Sequence, residues 1–244
     1  MIGLTLVYLR KKTHLQHQLE DLKEYTLKHH MKINHKKTKL MVFNPCTSVD
    51  FMPEFTLDNQ ELEVVGEMRL LGLILRADMK WTSNTDNMVK RANKRLWILR
   101  RLKNLGAEDE DLVDIYTKQI RSVLELAVPA WHGGITQAEK FDIERIQKCA
   151  SRIILEDSYT SYKDALKLLD LESLESRRNK LCLKFVKKAE KHDKHRNWFK
   201  LNGIQVNTRQ EKTKYCDVKA KHARFAKSPL SFLTNMLNEH YSKK

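Results

Sequence analysis

The spacing of apolar and polar positions changes character part-way along this chain. Up to about residue 75, short apolar runs alternate with polar stretches. From residue 82 onward, apolar residues recur every three or four positions. Residues 2–9 are a short apolar run containing Val7 and Tyr8, which predicts a strand in a covered sheet. Residues 13–29 follow with Leu15, Leu19, Leu22 and Leu27 near helical spacing. Residues 31–34 turn out of that helix, and the basic run His35-Lys36-Lys37-Thr38-Lys39 leads into a second strand at 40–43. Strand, helix, strand is the smallest unit of a layer that mixes sheet and helix. Pro45, Pro53 and an Asp58-Asn59 turn signal mark the next piece. Residues 61–65 and 69–75 read as two more strands, with a hairpin about Gly66-Glu67 as their junction.

The clearest single helix covers residues 82–106. Thr82 or Ser83 can cap its start, and Asp86 completes a capping-box pattern with Ser83. Gly106 stands where a left-handed residue ends a helix. Val89, Ala92, Leu96, Leu99 and Leu102 make one apolar stripe. Lys90, Arg91, Lys94 and Arg101 lie mostly on the other side, with Trp97 at the edge of that basic arc. This helix joins a strand-rich half to a helical one; a solvated surface face is the plainer reading of its charges.

Beyond it, Glu108-Asp109-Glu110-Asp111 starts a helix, its carboxylates matching the positive end of the dipole, and Pro129 ends it after about Ala127. Trp131-His132-Gly133-Gly134 reads as a turn, because its glycine pair lacks the context of a phosphate loop. Thr136 and Glu139 form a capping box for a helix reaching Leu155. Residues 161–169 and 173–192 give two more, and short connections between such helices imply a bundle. Ser228-Pro229 opens a last helix to about His240. The fold class expected is therefore α+β, mainly α, in three parts: residues 1–80, 81–195 and 196–244.

Composition adds a partner class. With 46 Lys and Arg against 31 Asp and Glu, the formal charge is +15, which points to a polyanion, nucleic acid above all. The apolar start is too short to span a bilayer and its charges follow the apolar run, so neither a membrane anchor nor a secretion signal is expected. An intracellular location, cytoplasm or nucleus, follows. Cys46, Cys149, Cys182 and Cys216 are far apart and read as free, mostly buried thiols. The pairs His14/His17, His29/His30 and His192/His195 lack a Cys or acidic partner at ligand spacing, so no metal is expected in this chain. No nucleophile–base or paired-carboxylate arrangement emerges from spacing, and no catalytic residue is assigned.

Several runs carry more. LQHQLEDLKEYTLKHHMKINHKKTKLMVF, RLLGLILRADMKW and RANKRLWILRRLKNLG are followed by IRSVLELAVPAWHGGIT, FDIERIQKCASRIIL, LLDLESLESRRNKLCLKF and RFAKSPLSFLTNMLN. In wording and order the chain resembles the C-terminal half of reverse transcriptases (RNA-directed DNA polymerases) of non-LTR, LINE-type retrotransposons. The resemblance implies a small strand-rich palm remnant at 1–80, a helical thumb and bundle at 81–195, and a C-terminal extension. In that family two Asp just before a run like Leu4-Thr5-Leu6 help to hold Mg²⁺ for nucleotidyl transfer. Here Ile2 and Gly3 stand in those positions, so this chain alone is expected not to polymerise DNA.

By family position, Asn34, Lys37 and Thr38 match a run near the incoming nucleotide's phosphates, and Leu71 and Gly72 match a hairpin that grips the primer. Lys90, Arg91, Lys94, Arg95, Trp97 and Arg101 fall on the thumb helix that tracks the template–primer backbone. The function implied is residual, sequence-independent binding to RNA, DNA or RNA–DNA hybrid, with self-association through exposed palm strands. The alternative is a host-retained basic helical interaction protein without enzymatic activity.

Overall fold

The computed structural model describes residues 5–8, 12–43, 55–57, 60–201, 214–216 and 226–242. The chain is α+β and mainly helical, and it forms two compact units, Met1–Ser83 and Asn84–Lys244.

The first unit is built on β1 (Thr5–Tyr8), α1 (Lys12–Lys28) and β2 (Lys39–Val42). β1 and β2 pair in parallel with Thr5 opposite Lys39, and β5 (Glu63–Val64) pairs in parallel on the other side of β2. Leu40 and Met41 of the central strand point to opposite faces, and both are fully buried. Leu19 of α1 meets Leu40, Phe55, Leu57 and Leu62 in the core, flanked by Ile33, Val42 and Val64. The stripe expected along α1 is only partly used: Leu22 is half-buried and Leu27 exposed. The basic run before β2 winds into a 3-10 turn, His35–Lys37.

Two hairpins complete this unit. β3 (Thr56–Leu57) and β4 (Gln60–Glu61) are antiparallel across residues 58–59. The Asp58-Asn59 turn signal itself lies outside the described residues, as do Pro45, Pro53 and Cys46. β6 (Glu67–Leu70) and β7 (Leu73–Arg76) pair with Leu70 opposite Leu73. Their turn is Leu71-Gly72, with φ of +49° and +91°. A two-residue loop of the primed kind needs positive φ at both positions to match the strand twist. The hairpin expected about Gly66-Glu67 is thus misplaced, and the strand expected over 69–75 is two strands. Gly66 instead closes the open end, its carbonyl accepting from Ala77 N at 2.8 Å.

α2 runs Thr82–Asn104. Ser83 lies inside its first turn, so the Ser83–Asp86 capping box does not form. Ser83 Oγ accepts from Arg76 Nη1 at 3.2 Å, while Asp78 grips the same guanidinium through Nε and Nη2 at 3.0 Å each. The end is as expected: Gly106 has φ +82°, Gly106 N donates to Lys103 O at 2.9 Å and Ala107 N to Leu102 O at 3.1 Å. That pair of bonds is the Schellman arrangement. The buried stripe is Thr85, Met88, Ala92, Leu96 and Leu99; Val89 and Leu102 are only half-buried.

In the second unit α3 (Asp109–Ile115) passes through a π-helical turn, Tyr116–Arg121, into α4 (Ser122–Leu124). Ala127 breaks the run with φ +49°, and α5 (Val128–Trp131) follows with Pro129 in its first turn. Proline fits there because the first helical N–H groups have no intrahelical acceptor. The turn expected at Trp131–Gly134 is therefore the end of a helix and a 3-10 turn. Trp131 is fully buried and donates Nε1–H to Leu126 O at 2.8 Å.

α6 (Gln137–Leu155) begins with the expected reciprocal cap: Thr136 N donates to Glu139 Oε2 at 2.6 Å and Glu139 N to Thr136 Oγ1 at 3.3 Å. α7 (Tyr162–Leu168) and α8 (Leu174–Lys191) are capped by Ser161 and Ser173. α9 (Asp193–Arg196) and α10 (Pro229–Ser242) follow. α8 is the central helix, packing against α5, α6 and α10, and α6 also packs on α3 and α7. Among the described residues no helix is long and apolar enough to cross a membrane.

Candidate nucleic-acid interface

At about 100° per residue, Lys90, Lys94, Trp97 and Arg101 fall within roughly 60° of one another on α2. All four are exposed, Trp97 by 61 %. Arg100, which the sequence reading passed over, is exposed on the far flank of Trp97. Trp97 lies at the edge of the arc of Lys90, Arg101 and Lys94, as expected, with Arg100 on its other flank. A signal for this was present, since Arg100 follows Trp97 by three positions and i,i+3 neighbours share a helix surface.

Among the described residues, none of Lys90, Lys94, Arg100 and Arg101 forms an ion pair. Some other cations of the second unit are paired, although Lys184, Lys187 and Lys188 of α8, among the described residues, are not. Lys103 meets Asp109 at 2.8 Å, Lys140 meets Glu175 at 2.8 Å, and Lys180 meets Glu172 at 2.5 Å. Arg177 grips Glu125 through two bonds of 2.5 and 3.1 Å. That carboxylate raises the Arg177 pKa, and Asp109 does the same for Lys103. A row of cations without internal partners keeps its full field for an external anion.

Two members of the predicted set are placed differently. Arg91 is half-buried beside the row. Arg95 turns away from it, and its guanidinium donates to the backbone carbonyl of Gln119. Its donor is committed within the fold.

The other predicted residues lie in the first unit. Asn34 caps the 3-10 turn: its Oδ1 accepts from Lys37 N at 3.2 Å, and its carbonyl accepts from Thr38 Oγ1 at 2.8 Å. Thr38 is buried, so its hydroxyl serves this turn; Lys37 is exposed. Leu71 is 91 % exposed at the tip of its hairpin, beside Gly72. Asp78 is the most perturbed acid here, held down at about 2 first by its bonds from Arg76.

In the second unit a largely buried polar chain ties four helical segments together. Tyr116 OH donates to Gln147 Oε1 at 2.7 Å, and Gln147 Nε2 donates to Tyr162 OH at 3.1 Å and to Glu172 O at 2.8 Å. Tyr162 OH donates to Glu144, which also accepts from Leu174 N at 3.0 Å. Burial raises the pKa of both phenols, so they are donors and not bases. Buried networks satisfied in this way fix one arrangement of the helices.

Cys149 is half-buried, Cys182 buried and Cys216 exposed, so the expectation of mostly buried thiols fails for Cys216. Burial pushes the Cys182 thiol up to about 12, which makes it a poor nucleophile. The His192 and His195 rings stack at 4.9 Å.

Ile2 and Gly3 carry no donor side chain, and among the described residues no three His, Cys, Asp or Glu converge. Comparison with protein-family models, curated proteins and solved structures returns no match to this chain.

Proposed function

We propose that this chain derives from the C-terminal half of a non-LTR retrotransposon reverse transcriptase and retains sequence-independent binding to nucleic-acid backbone, without polymerase activity of its own. The observation that carries the binding reading is the row Lys90, Lys94, Arg100 and Arg101, without an ion pair among the described residues, around exposed Trp97 on a 23-residue helix. Cations spaced along one helix face can follow a phosphate backbone, and an indole among them offers a stacking surface to a base or sugar. The family reading rests on the order of the quoted runs. Palm-like and thumb-like roles for the two units, and phosphate and primer roles for Asn34, Lys37, Thr38, Leu71 and Gly72, belong to the same proposal.

The expected affinity is non-specific, around 10⁻⁴–10⁻⁶ M at physiological salt. Replacing Lys90, Lys94 and Arg101 together by Ala should weaken binding to an RNA–DNA hybrid. It should also flatten the log–log salt slope by roughly 0.9 per lost contact for a B-form duplex. Helical content should not change, because all three side chains are exposed. Lys184, Lys187 and Lys188 on α8 form the charge-matched control. Equal weakening by both triples would reduce the interface to a diffuse positive surface. No binding of hybrid or DNA at moderate salt would favour the host-retained interaction protein.

A further inference from the structure

A pocket of about 200 Å³ lies between α6, α7 and α8, and Arg178 forms part of its wall. Arg178 is 1 % exposed, and among the described residues none of its three guanidinium nitrogens has a hydrogen-bond partner. Buried charges are ordinarily paired, because an unpaired one loses its hydration and gains nothing in return. The two carboxylates in the same wall favour the charged guanidinium electrostatically, but the bonds they accept come from other groups. Glu144 Oε1 accepts from Leu174 N at 3.0 Å and from Tyr162 OH, and Glu175 Oε1 accepts from Lys140 Nζ at 2.8 Å. Lys148 lines the pocket too, its Nζ 5.2 Å from the centroid of the Tyr162 ring. Lys140, Lys148 and Arg178 against Glu144 and Glu175 leave one net positive charge in the wall.

We propose that this pocket binds a phosphoryl oxyanion, held through the guanidinium of Arg178 and faced by Lys148. The site is separate from the basic row on α2 and does not rest on it. A guanidinium offers five N–H donors in a fixed planar fork, more than the two oxygens of one carboxylate use, whereas a tetrahedral phosphoryl group presents further acceptors to the neighbouring ammonium. The volume suits a group of that size and is below the range of pockets that enclose whole nucleotides or cofactors. The phosphoryl group can come from free phosphate or from a nucleic-acid strand; the chemistry at Arg178 is the same.

The test uses the full chain, with thermal unfolding and calorimetric titration against sodium phosphate at constant ionic strength and sodium acetate as the control. Phosphate should raise the melting temperature of the wild type and leave Arg178→Met unchanged. Methionine keeps the volume and apolar stem, and such replacements of buried charge are commonly tolerated. A shift of the same size in Arg178→Met, an equal shift with acetate, or no shift up to about 50 mM phosphate, far above a millimolar Kd, would each overturn the proposal. Lys148→Met keeps the test open if Arg178→Met fails to fold. Loss of its charge-assisted contact should weaken the phosphate Kd by roughly tenfold, and an unchanged Kd would count against the site. An oligonucleotide without terminal phosphates separates the two sources. Competition with inorganic phosphate assigns the strand's phosphodiester, and absence of competition assigns free phosphate.

Discussion

Arg95 of α2 donates to the backbone carbonyl of Gln119, in the π-helical turn that links α3 to α4. One cation of the basic helix is thereby spent on the fold, while Lys90, Lys94, Arg100 and Arg101 are not. Charge alone does not separate them; the position of a facing carbonyl does. Arg95→Met should lower stability by about 0.5–1.5 kcal/mol, the usual net worth of one such bond. It should leave hybrid affinity within about twofold of wild type, since no phosphate contact is lost. Chemical denaturation and fluorescence anisotropy check the two halves. An affinity loss as large as that of Lys94→Ala would place Arg95 in the interface.

Trp97 should behave in the opposite way. It is 61 % exposed, so Trp97→Ala is expected to change stability by no more than about 0.5 kcal/mol. If a base stacks on the indole, the same change should cost roughly 1–3 kcal/mol of single-strand affinity. Wild-type tryptophan fluorescence should be quenched on binding and the quenching lost in the variant. Quenching that persists in Trp97→Ala would assign the signal to Trp81, Trp131 or Trp198.

His132 gives the helical unit a pH dependence. It is buried, its Nε2–H donates to Asn179 Oδ1 at 2.9 Å, and burial pulls its pKa down to about 4 from an ordinary 6.5. Arg178 and Lys140 push the same way, and Glu175 opposes them. The unfolded chain therefore takes up this proton first as pH falls. The stability from a neutral His132 is complete above the unfolded pKa and is lost between about 6.5 and 4. The slope should approach about 1.4 kcal/mol per pH unit for one proton. Urea denaturation between pH 7 and 4 should show this slope in the wild type and a smaller one in His132→Gln. Identical slopes would contradict the assignment.

Gly133 is a packing position. A Cβ built on it would stand 2.5 Å from Phe232 Cγ and 2.6 Å from Phe232 Cβ, atoms of α10. Gly133→Ala is expected to destabilise by roughly 1–3 kcal/mol through overpacking. In a Phe232→Ala background the cost of Gly133→Ala should be smaller, because Cγ and the ring are gone although Cβ remains. Thermal unfolding of the single and double variants measures this directly, and a neutral Gly133→Ala would show that α10 shifts freely.

The cap of α6 and the end of α2 were legible because they are local, whereas the Ser83–Asp86 cap failed because Ser83 serves Arg76. Thr136 and Glu139 satisfy each other's backbone N–H groups within one turn, and Gly106 supplies a left-handed residue at no steric cost. Neither needs a distant partner, so four or five residues of sequence contain the whole argument. The hairpin was misread because its turn carries Leu71 at positive φ, where turn chemistry favours Asn, Asp or Gly. Trp131 was misread as part of a turn because the glycines beside it dominate the local pattern. Its burial and its bond to Leu126 O depend on how the chain bends at Ala127.

The sequence by itself determined the change from strands to helices, the ends of α2 and α6, the mainly helical class and the excess of positive charge. Each follows from spacing or count within a window shorter than one helix. Only the tertiary structure decided which cations have no ion pair among the described residues, that Arg95 serves Gln119, and that Arg178 lies buried in a pocket wall with no hydrogen-bond partner among those residues. The physical reason is that a side chain's electrostatic role is set by the groups that face it from other elements. Gln119 lies 24 positions beyond Arg95, and the Lys140–Glu175 bond beside Arg178 joins residues 35 positions apart. No period or motif along the chain encodes which of those groups will meet.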